Sequence, residues 1–191
     1  MSYAVQLRAV RAYFGFSQPA LTPWLGMGRA QLASIETGRE QLPVHARPWL
    51  RPWVAALAQA EPEPDAPGAA PPRLATGPTG YGPAAVQARL AECHYQALRL
   101  GQQHAVLLAD HRTAARRLAA GPLLLTALPS HAPADAPEAT ALALRRRWLA
   151  RLLEAATDAL APEAPGGPVA ARLLEARRQG YLHEAAWLAA V

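Results

Sequence analysis

The chain lacks lysine and asparagine entirely, and its 191 residues include one cysteine and one isoleucine. Because Cys93 has no second cysteine to pair with, an internal disulfide is excluded, and so is a zinc site built from several cysteines. The 19 basic residues are therefore all arginine. We interpret this as a coding bias toward Ala, Arg, Gly and Pro, so the arginine count alone is weak evidence for phosphate binding.

Long apolar runs are also missing. The longest, GPLLLTALP at 121–129, is far shorter than the roughly 20 residues that a membrane helix requires, and no N-terminal stretch has the form of a signal peptide. No segment alternates apolar and polar residues with the period of two that strands show. These absences predict an all-α protein located in the cytoplasm, without a membrane partner.

A proline-rich stretch separates two helical regions. Residues 61–83 include seven prolines and four glycines and have no apolar period, which is typical of a linker. Residues 1–60 carry six arginines against two acidic residues, a net charge of +4 out of the chain's +5. The N-terminal region is thus the most one-sidedly basic for its length, and a basic surface favours anionic partners.

Region 84–191 carries three helical patterns, near 84–128, 138–160 and 169–190. The first repeats apolar residues at alternating steps of four and three, the heptad spacing of a coiled-coil seam. The residues of this heptad seam are Val86, Leu90, Cys93, Ala97, Leu100, His104, Leu107, His111, Ala114 and Leu118. We expect the C-terminal region to form a homodimer through it. His104 and His111 lack the i, i+4 spacing of helical metal ligands, so we predict no metal site.

Two local features complete the chemistry of the sequence. The run Arg145–Arg147 spreads around a helix, which favours a solvated face over an anion-binding patch. No nucleophile elbow, Gly-rich phosphate loop or pair of acids at useful spacing is present. We therefore expect no enzyme activity, no cofactor and no small-molecule ligand.

Residues 15–40, GFSQPALTPWLGMGRAQLASIETGRE, encode two short helices. Ser17 is a good N-cap, Gly26 suits a left-handed C-cap, and Gly28 can start the next helix. Apolar residues three or four apart give each helix one buried face. This spacing predicts two helices of about two turns joined by a tight corner. That is helix-turn-helix geometry, in which the second helix can enter the major groove of DNA.

This stretch resembles the helix-turn-helix domain of the phage repressor/Cro (XRE) family of transcriptional regulators. The family pattern has an Arg in helix one, then Gly-x-Ser-Gln-x-x-Leu-Ala, Leu-Gly-Val-Ser-Arg, Ile-Ser-x-Ile-Glu-x-Gly-Arg and a nearby Pro. The matching residues, in register without a gap from Arg11 to Arg39, are Arg11, Gly15, Ser17, Gln18, Leu21, Leu25, Gly26, Arg29, Leu32, Ile35, Glu36, Gly38, Arg39 and Pro43. The resemblance covers roughly residues 4–58, under a third of the chain.

The resemblance implies binding to double-stranded DNA, and it places the contacts on particular residues. The DNA-binding residues it implies are Gln18, Arg29, Ala30, Gln31, Ser34 and Arg39. Gln18 would contact a phosphate, Arg39 would lie beside the backbone, and the others would face base edges or, for Gln31, lie close to them. An arginine that bonds guanine twice supplies about 1–3 kcal/mol of discrimination. A structural ion pair between Arg11 and Glu36 is also implied.

Departures from the family pattern motivate an alternative. Thr22 stands where the family has Ala, and Pro23 lies inside the second helix, where a proline costs roughly 3 kcal/mol. Met27 and Gly28 replace Val and Ser at the corner. The alternative function is a helical protein–protein interaction module whose helix-turn-helix no longer binds DNA.

These observations give one prediction of architecture and function. Residues 1–60 form a repressor-like helix-turn-helix DNA-binding domain, and residues 61–83 form the Pro/Gly-rich linker. Residues 84–191 form a helical hairpin or three-helix bundle that serves oligomerisation or partner binding. The whole chain is expected to act as a sequence-specific transcriptional regulator on double-stranded DNA.

Overall fold

A computed structural model describes residues 2–60, 83–131 and 137–190 of the chain. Within these ranges it has seven α-helices and no strand, which confirms the all-α prediction. The elements are α1 (Tyr3–Phe14), α2 (Gln18–Leu25), α3 (Arg29–Glu36), a 3-10 turn (Val44–Ala46), α4 (Arg47–Ala58), α5 (Ala84–Thr126), α6 (Pro137–Leu160) and α7 (Pro168–Ala189). The linker predicted at 61–83 lies outside the described residues, apart from Pro83.

The chain forms two compact units, each assembled from two separate stretches. Unit 1 spans Met1–Glu61 and Arg112–Asp158, and unit 2 spans Pro62–His111 and Ala159–Val191. Helices α5 and α6 each contribute residues to both units. The division differs from the predicted boundaries, because residues 112–158 group with the N-terminal helices and not with the rest of 84–191.

Large aromatic side chains fill the core of unit 1. Helix α1 buries Leu7, Val10 and Phe14, which are three and four residues apart and therefore share one face. Phe14 meets Trp53 of α4 edge to face, with ring centroids 4.8 Å apart. Trp24 of α2 is fully buried and donates its indole N–H to the carbonyl oxygen of Trp49, 2.7 Å away. Aromatic pairs of this kind add about 0.5–1.5 kcal/mol beyond their buried area.

The second stretch of unit 1 packs directly on the N-terminal helices. Leu124 of α5 and Leu149 of α6 are fully buried in the same hydrophobic cluster as α1–α4. Arg117 donates from Nε to the carbonyl oxygen of Phe14 at 2.9 Å and from Nη2 to that of Gly15 at 3.0 Å. A guanidinium at this position satisfies carbonyl groups that the end of α1 leaves without helical partners.

Unit 2 pairs the first part of α5 with α7. Arg89 lies 2.6 Å from Glu184, His104 lies 3.4 Å from Glu175, and the ring of His111 lies 2.6 Å from the carbonyl oxygen of Gly166. Residue numbers rise along α5 as they fall along α7, so the two helices run antiparallel. Both histidines are half-buried, and each ring has a polar partner within unit 2.

The heptad seam predicted from the sequence lies on α5, and its positions from Val86 to His111 belong to unit 2. Every seam position is buried or half-buried. The buried side chains in the described part of unit 2 are small: Cys93, Ala97, Ala171 and Ala185. Because residues of α7 contact this seam, a homodimer would need a different surface of unit 2.

Candidate nucleic-acid interface

Pro23 lies inside helix α2, yet the backbone carbonyl that its missing N–H would have bonded is still paired. The Ser17 hydroxyl caps the helix by accepting from the backbone N–H of Ala20 at 3.3 Å. Pro23 has no N–H to donate to the carbonyl oxygen of Pro19, four residues earlier. The Thr22 hydroxyl donates to that oxygen instead, at 3.0 Å. The two departures from the family pattern therefore compensate each other within one turn.

Three residues turn the chain from α2 into α3. Gly26 has φ 70°, in the left-handed region, and its N–H donates to the carbonyl oxygen of Thr22 at 2.9 Å. This is the left-handed C-cap that favours glycine, because a side chain there would be strained. Met27 follows, half-buried, and Gly28 is the extended N-cap of α3. The short corner predicted from the sequence thus occupies 26–28.

Helix α3 has one anchored face and one open face. Leu32, Ile35 and Glu36 are buried. Arg29 and Ala30 are exposed in the first turn, whereas Gln31 and Ser34 are half-buried. Gly38, with φ 78°, follows the helix. The next residue, Arg39, is exposed and is held by its backbone N–H to the carbonyl oxygen of Ser34 at 2.9 Å.

A three-residue polar cluster joins α1, α2 and α3. Arg11 Nη1 lies 2.7 and 2.6 Å from the two carboxylate oxygens of Glu36, so the expected ion pair is present. Glu36 is 8% exposed, and it also accepts from the amide of Gln18 at 2.7 Å. One of the two amide N–H groups of Gln18 is therefore used inside the protein. The phosphate contact assigned to Gln18 stays a prediction, and it would use the second N–H of this amide or require release from Glu36.

Arg145 and Trp148 of α6 contact helix α2, and the sequence did not predict these contacts. Arg145 is 7% exposed, which contradicts the solvated face expected for Arg145–Arg147. It donates from Nε to the carbonyl oxygen of Trp24 at 2.7 Å and stacks 4.0 Å above the ring of Trp49. Burial lowers the pKa of the Arg145 guanidinium from its ordinary value. Trp148 donates from Nε1 to the carbonyl oxygen of Ala20 at 3.0 Å.

Arg146 and Arg147, next to Arg145, are exposed. Arg146 is paired with the carbonyl oxygens of Pro129 and Ser130. The periodicity of α6 could have separated Arg145 from its two neighbours, because it lies on the same face as the buried Leu142 and Leu149. Its partners Trp24 and Trp49, however, lie about a hundred residues or more away in the sequence.

A groove of about 970 Å³ runs between the α2–α3 corner and α6, within unit 1. Its lining includes Met27, Gly28, Gln31, Arg147, Trp148 and Arg151. Arg147 and Arg151 are exposed and lie one turn apart on α6. No acidic side chain in the part of the chain that the structure describes lines the groove, so its wall carries positive charge only.

Comparisons with known proteins give no match: no family model, no curated protein and no solved structure matches the chain. Across 2–60, 83–131 and 137–190 there is no cluster of three His, Cys, Asp or Glu side chains that could hold a metal ion. Over the same residues, none of the helices combines the length and the apolar character needed to cross a membrane.

Proposed function

We propose that this chain is a sequence-specific DNA-binding transcriptional regulator of the phage repressor/Cro (XRE) type, with α2 and α3 as its helix-turn-helix. The observation that carries the proposal is the two-sided character of α3. Its inner face is fixed by Leu32, Ile35 and Glu36, and its first turn leaves Arg29 and Ala30 open. A helix held in this way can enter a major groove without rearrangement of the core.

The side chains on and near this turn have the chemistry for base recognition. Arg29 can bond guanine O6 and N7 together, and Gln31 can bond adenine N6 and N7. Ala30 is small enough to allow close approach and can contact a thymine methyl group. Ser34 lies one turn further along α3, and exposed Arg39 follows the helix, where it can contact a phosphate. In this proposal the protein works in the cytoplasm, is not an enzyme and needs no cofactor.

A second candidate function, a helical protein-interaction module, is favoured by one observation on α7. Val169, Leu173 and Trp187 are 48%, 55% and 66% exposed, and the helical repeat places them within about 40° of one another. An exposed apolar stripe of this kind favours a protein partner. The stripe is also compatible with a homodimer of the regulator, so it does not exclude DNA binding.

Selection from random-sequence duplexes tests the proposed function. The purified chain is incubated with the pool at low salt, and the bound duplexes are recovered and sequenced. We expect an enriched motif that is lost in Arg29→Ala/Gln31→Ala. The matched control is Arg99→Ala/Gln103→Ala, which removes the same residue types from exposed positions of α5 in unit 2. No enrichment by the folded wild-type chain would overturn the proposal and favour the interaction module.

A further inference from the structure

We propose that α6 supplies a second DNA-binding element, in which Arg147 and Arg151 contact the phosphate backbone beside the duplex segment that α3 reads. This inference rests on the proposed function and extends it to residues outside the helix-turn-helix. The ligand is the sugar–phosphate backbone of double-stranded DNA, recognised through charge and not through base sequence.

Position is the first argument. Arg147 and Arg151 line the same groove as Gly28 and Gln31, which belong to the N-cap and first turn of α3. A duplex that reaches Arg29 and Gln31 therefore comes close to the wall formed by α6. The two arginines are four residues apart, so they project from one face of the helix about one turn from each other.

The second argument is that α6 is held in place. Arg145 is buried, bonded to the carbonyl oxygen of Trp24 and stacked on Trp49. Trp148 is bonded to the carbonyl oxygen of Ala20, and Leu149 is fully buried. Each of these contacts joins α6 to helices of the same unit. The two exposed arginines are therefore carried by a fixed helix, which lowers the entropy lost when they bind.

Charge is the third argument, and it selects DNA over other occupants. The groove contributes two guanidinium groups and no carboxylate among its described lining residues. Arginine forms paired hydrogen bonds with phosphate oxygens, and each neutralised phosphate releases counterions and adds about 0.9 to the salt slope of binding. An acidic protein segment would match the same charge, but it would not need the adjoining first turn of α3.

The test compares two charge-matched variants on the duplex that the wild-type chain selects. Arg147→Ala/Arg151→Ala removes the pair, and Arg172→Ala/Arg177→Ala removes two exposed arginines from α7 in unit 2. For the first variant we expect the slope of log K against log salt to fall by about 1.8 and the affinity at 0.1 M salt to fall about 60-fold. The loss should be similar for all sequences, whereas Arg29→Ala should change sequence preference. Arg147→Lys/Arg151→Lys should recover most of the salt slope.

Equal salt slopes for the two charge-matched variants would overturn the inference while leaving the proposed function intact. Failure of the wild-type chain to bind any duplex would instead overturn the proposed function.

A second measurement, cross-linking, tests the inference even if the arginine variant does not fold. Leu144, 55% exposed and in the groove lining, is replaced by photoreactive p-benzoylphenylalanine, and Leu173 of unit 2, also 55% exposed, is the matched site. We expect DNA cross-linking from position 144 and not from 173, and the reverse pattern or no cross-link from 144 would contradict the inference.

Discussion

Unit 1 and unit 2 are both helical, but they are held together by different side chains. In unit 1 the fully buried side chains include Trp24, Trp53 and Phe14, supported by edge-to-face ring contacts. Among the described residues of unit 2 the buried side chains are alanines and Cys93, and the polar contacts between its helices are ion pairs and hydrogen bonds on half-exposed groups. A large apolar side chain contributes about 1.5–3 kcal/mol on burial, far more than an exposed ion pair.

The difference indicates which unit can hold a rigid recognition surface. Base recognition requires side chains positioned within a fraction of an ångström, and such positions are held by packed neighbours. Helix α3 has that support from Leu32, Ile35 and the Arg11–Glu36 pair. Unit 2, with small buried side chains and an exposed stripe on α7, is better suited to adaptable contacts with a partner.

The largest expected effect is on the aromatic core. Trp53→Ala removes a fully buried ring that contacts Phe14 and Phe16, so we expect a loss of about 3–5 kcal/mol in the unfolding free energy of unit 1. Trp187→Ala removes the same side chain from a site that is 66% exposed in unit 2, and should change stability by less than about 0.5 kcal/mol. Denaturant unfolding followed by amide hydrogen exchange in each unit measures both. Similar losses would contradict the contrast between the units.

The next largest effect is expected from removing the arginine of an ion pair, compared between unit 1 and unit 2. Arg11→Ala leaves the Glu36 carboxylate, 8% exposed, without its charged partner, and we expect unit 1 to lose about 2–3 kcal/mol. Arg89→Ala breaks the pair with Glu184, whose side chains are 49% and 38% exposed, and should have a much smaller effect on unit 2. Thermal unfolding of the two variants decides the point, and a larger loss for Arg89→Ala would reverse the comparison.

A double-mutant cycle tests the compensation inside α2. Thr22→Val keeps the shape of the side chain but removes the hydroxyl that bonds the carbonyl oxygen of Pro19, so we expect a loss of about 1 kcal/mol. In a Pro23→Ala background the new backbone N–H can bond that oxygen, and Thr22→Val should cost almost nothing. Equal costs in both backgrounds, measured by chemical denaturation, would show that the hydroxyl does not replace the missing backbone bond.

The smallest expected effect is a loss of stability in acid that is larger in unit 2 than in unit 1. The hydrogen bond from Gln179 and the nearby Arg178 and His104 hold the pKa of Glu175 below its ordinary value of 4.5, and the hydrogen bond from Arg89 lowers the pKa of Glu184. Because both folded-state values are lowered, the stabilisation is present above pH 4.5 and is lost as the pH falls below it. Protection factors in α7, which correct for the intrinsic pH dependence of amide exchange, should therefore fall below pH 4.5 before those in α1.

Glu175→Gln/Glu184→Gln is the matched variant for this acid response. Its side-chain amides do not titrate in this range, so the protection factors of α7 should vary less with pH between about 5 and 3. An acid response of α7 that is unchanged in this variant would show that other groups of unit 2 control it.

The sequence predicts local features of this protein better than distant ones. The caps and the corner of α2 and α3 follow from Ser17, Gly26 and Gly28, because capping depends on neighbouring residues. The periodicity of α5 likewise indicated its buried positions. Arg145 could not be placed, since its partners Trp24 and Trp49 are some hundred residues away and nothing local indicates them. The same reason explains why the grouping of 112–158 with the N-terminal helices differs from the predicted boundary.

Hydrogen exchange of the whole chain with and without a duplex tests most directly whether unit 1 is the DNA-binding part. The chain is mixed at low salt with a random-sequence duplex, so that the measurement does not depend on a known target. We expect slower exchange in the first turns of α2 and α3 and unchanged exchange in the α7 residues of unit 2. Slower exchange confined to unit 2, or no change anywhere in a folded chain, would contradict DNA recognition by α3.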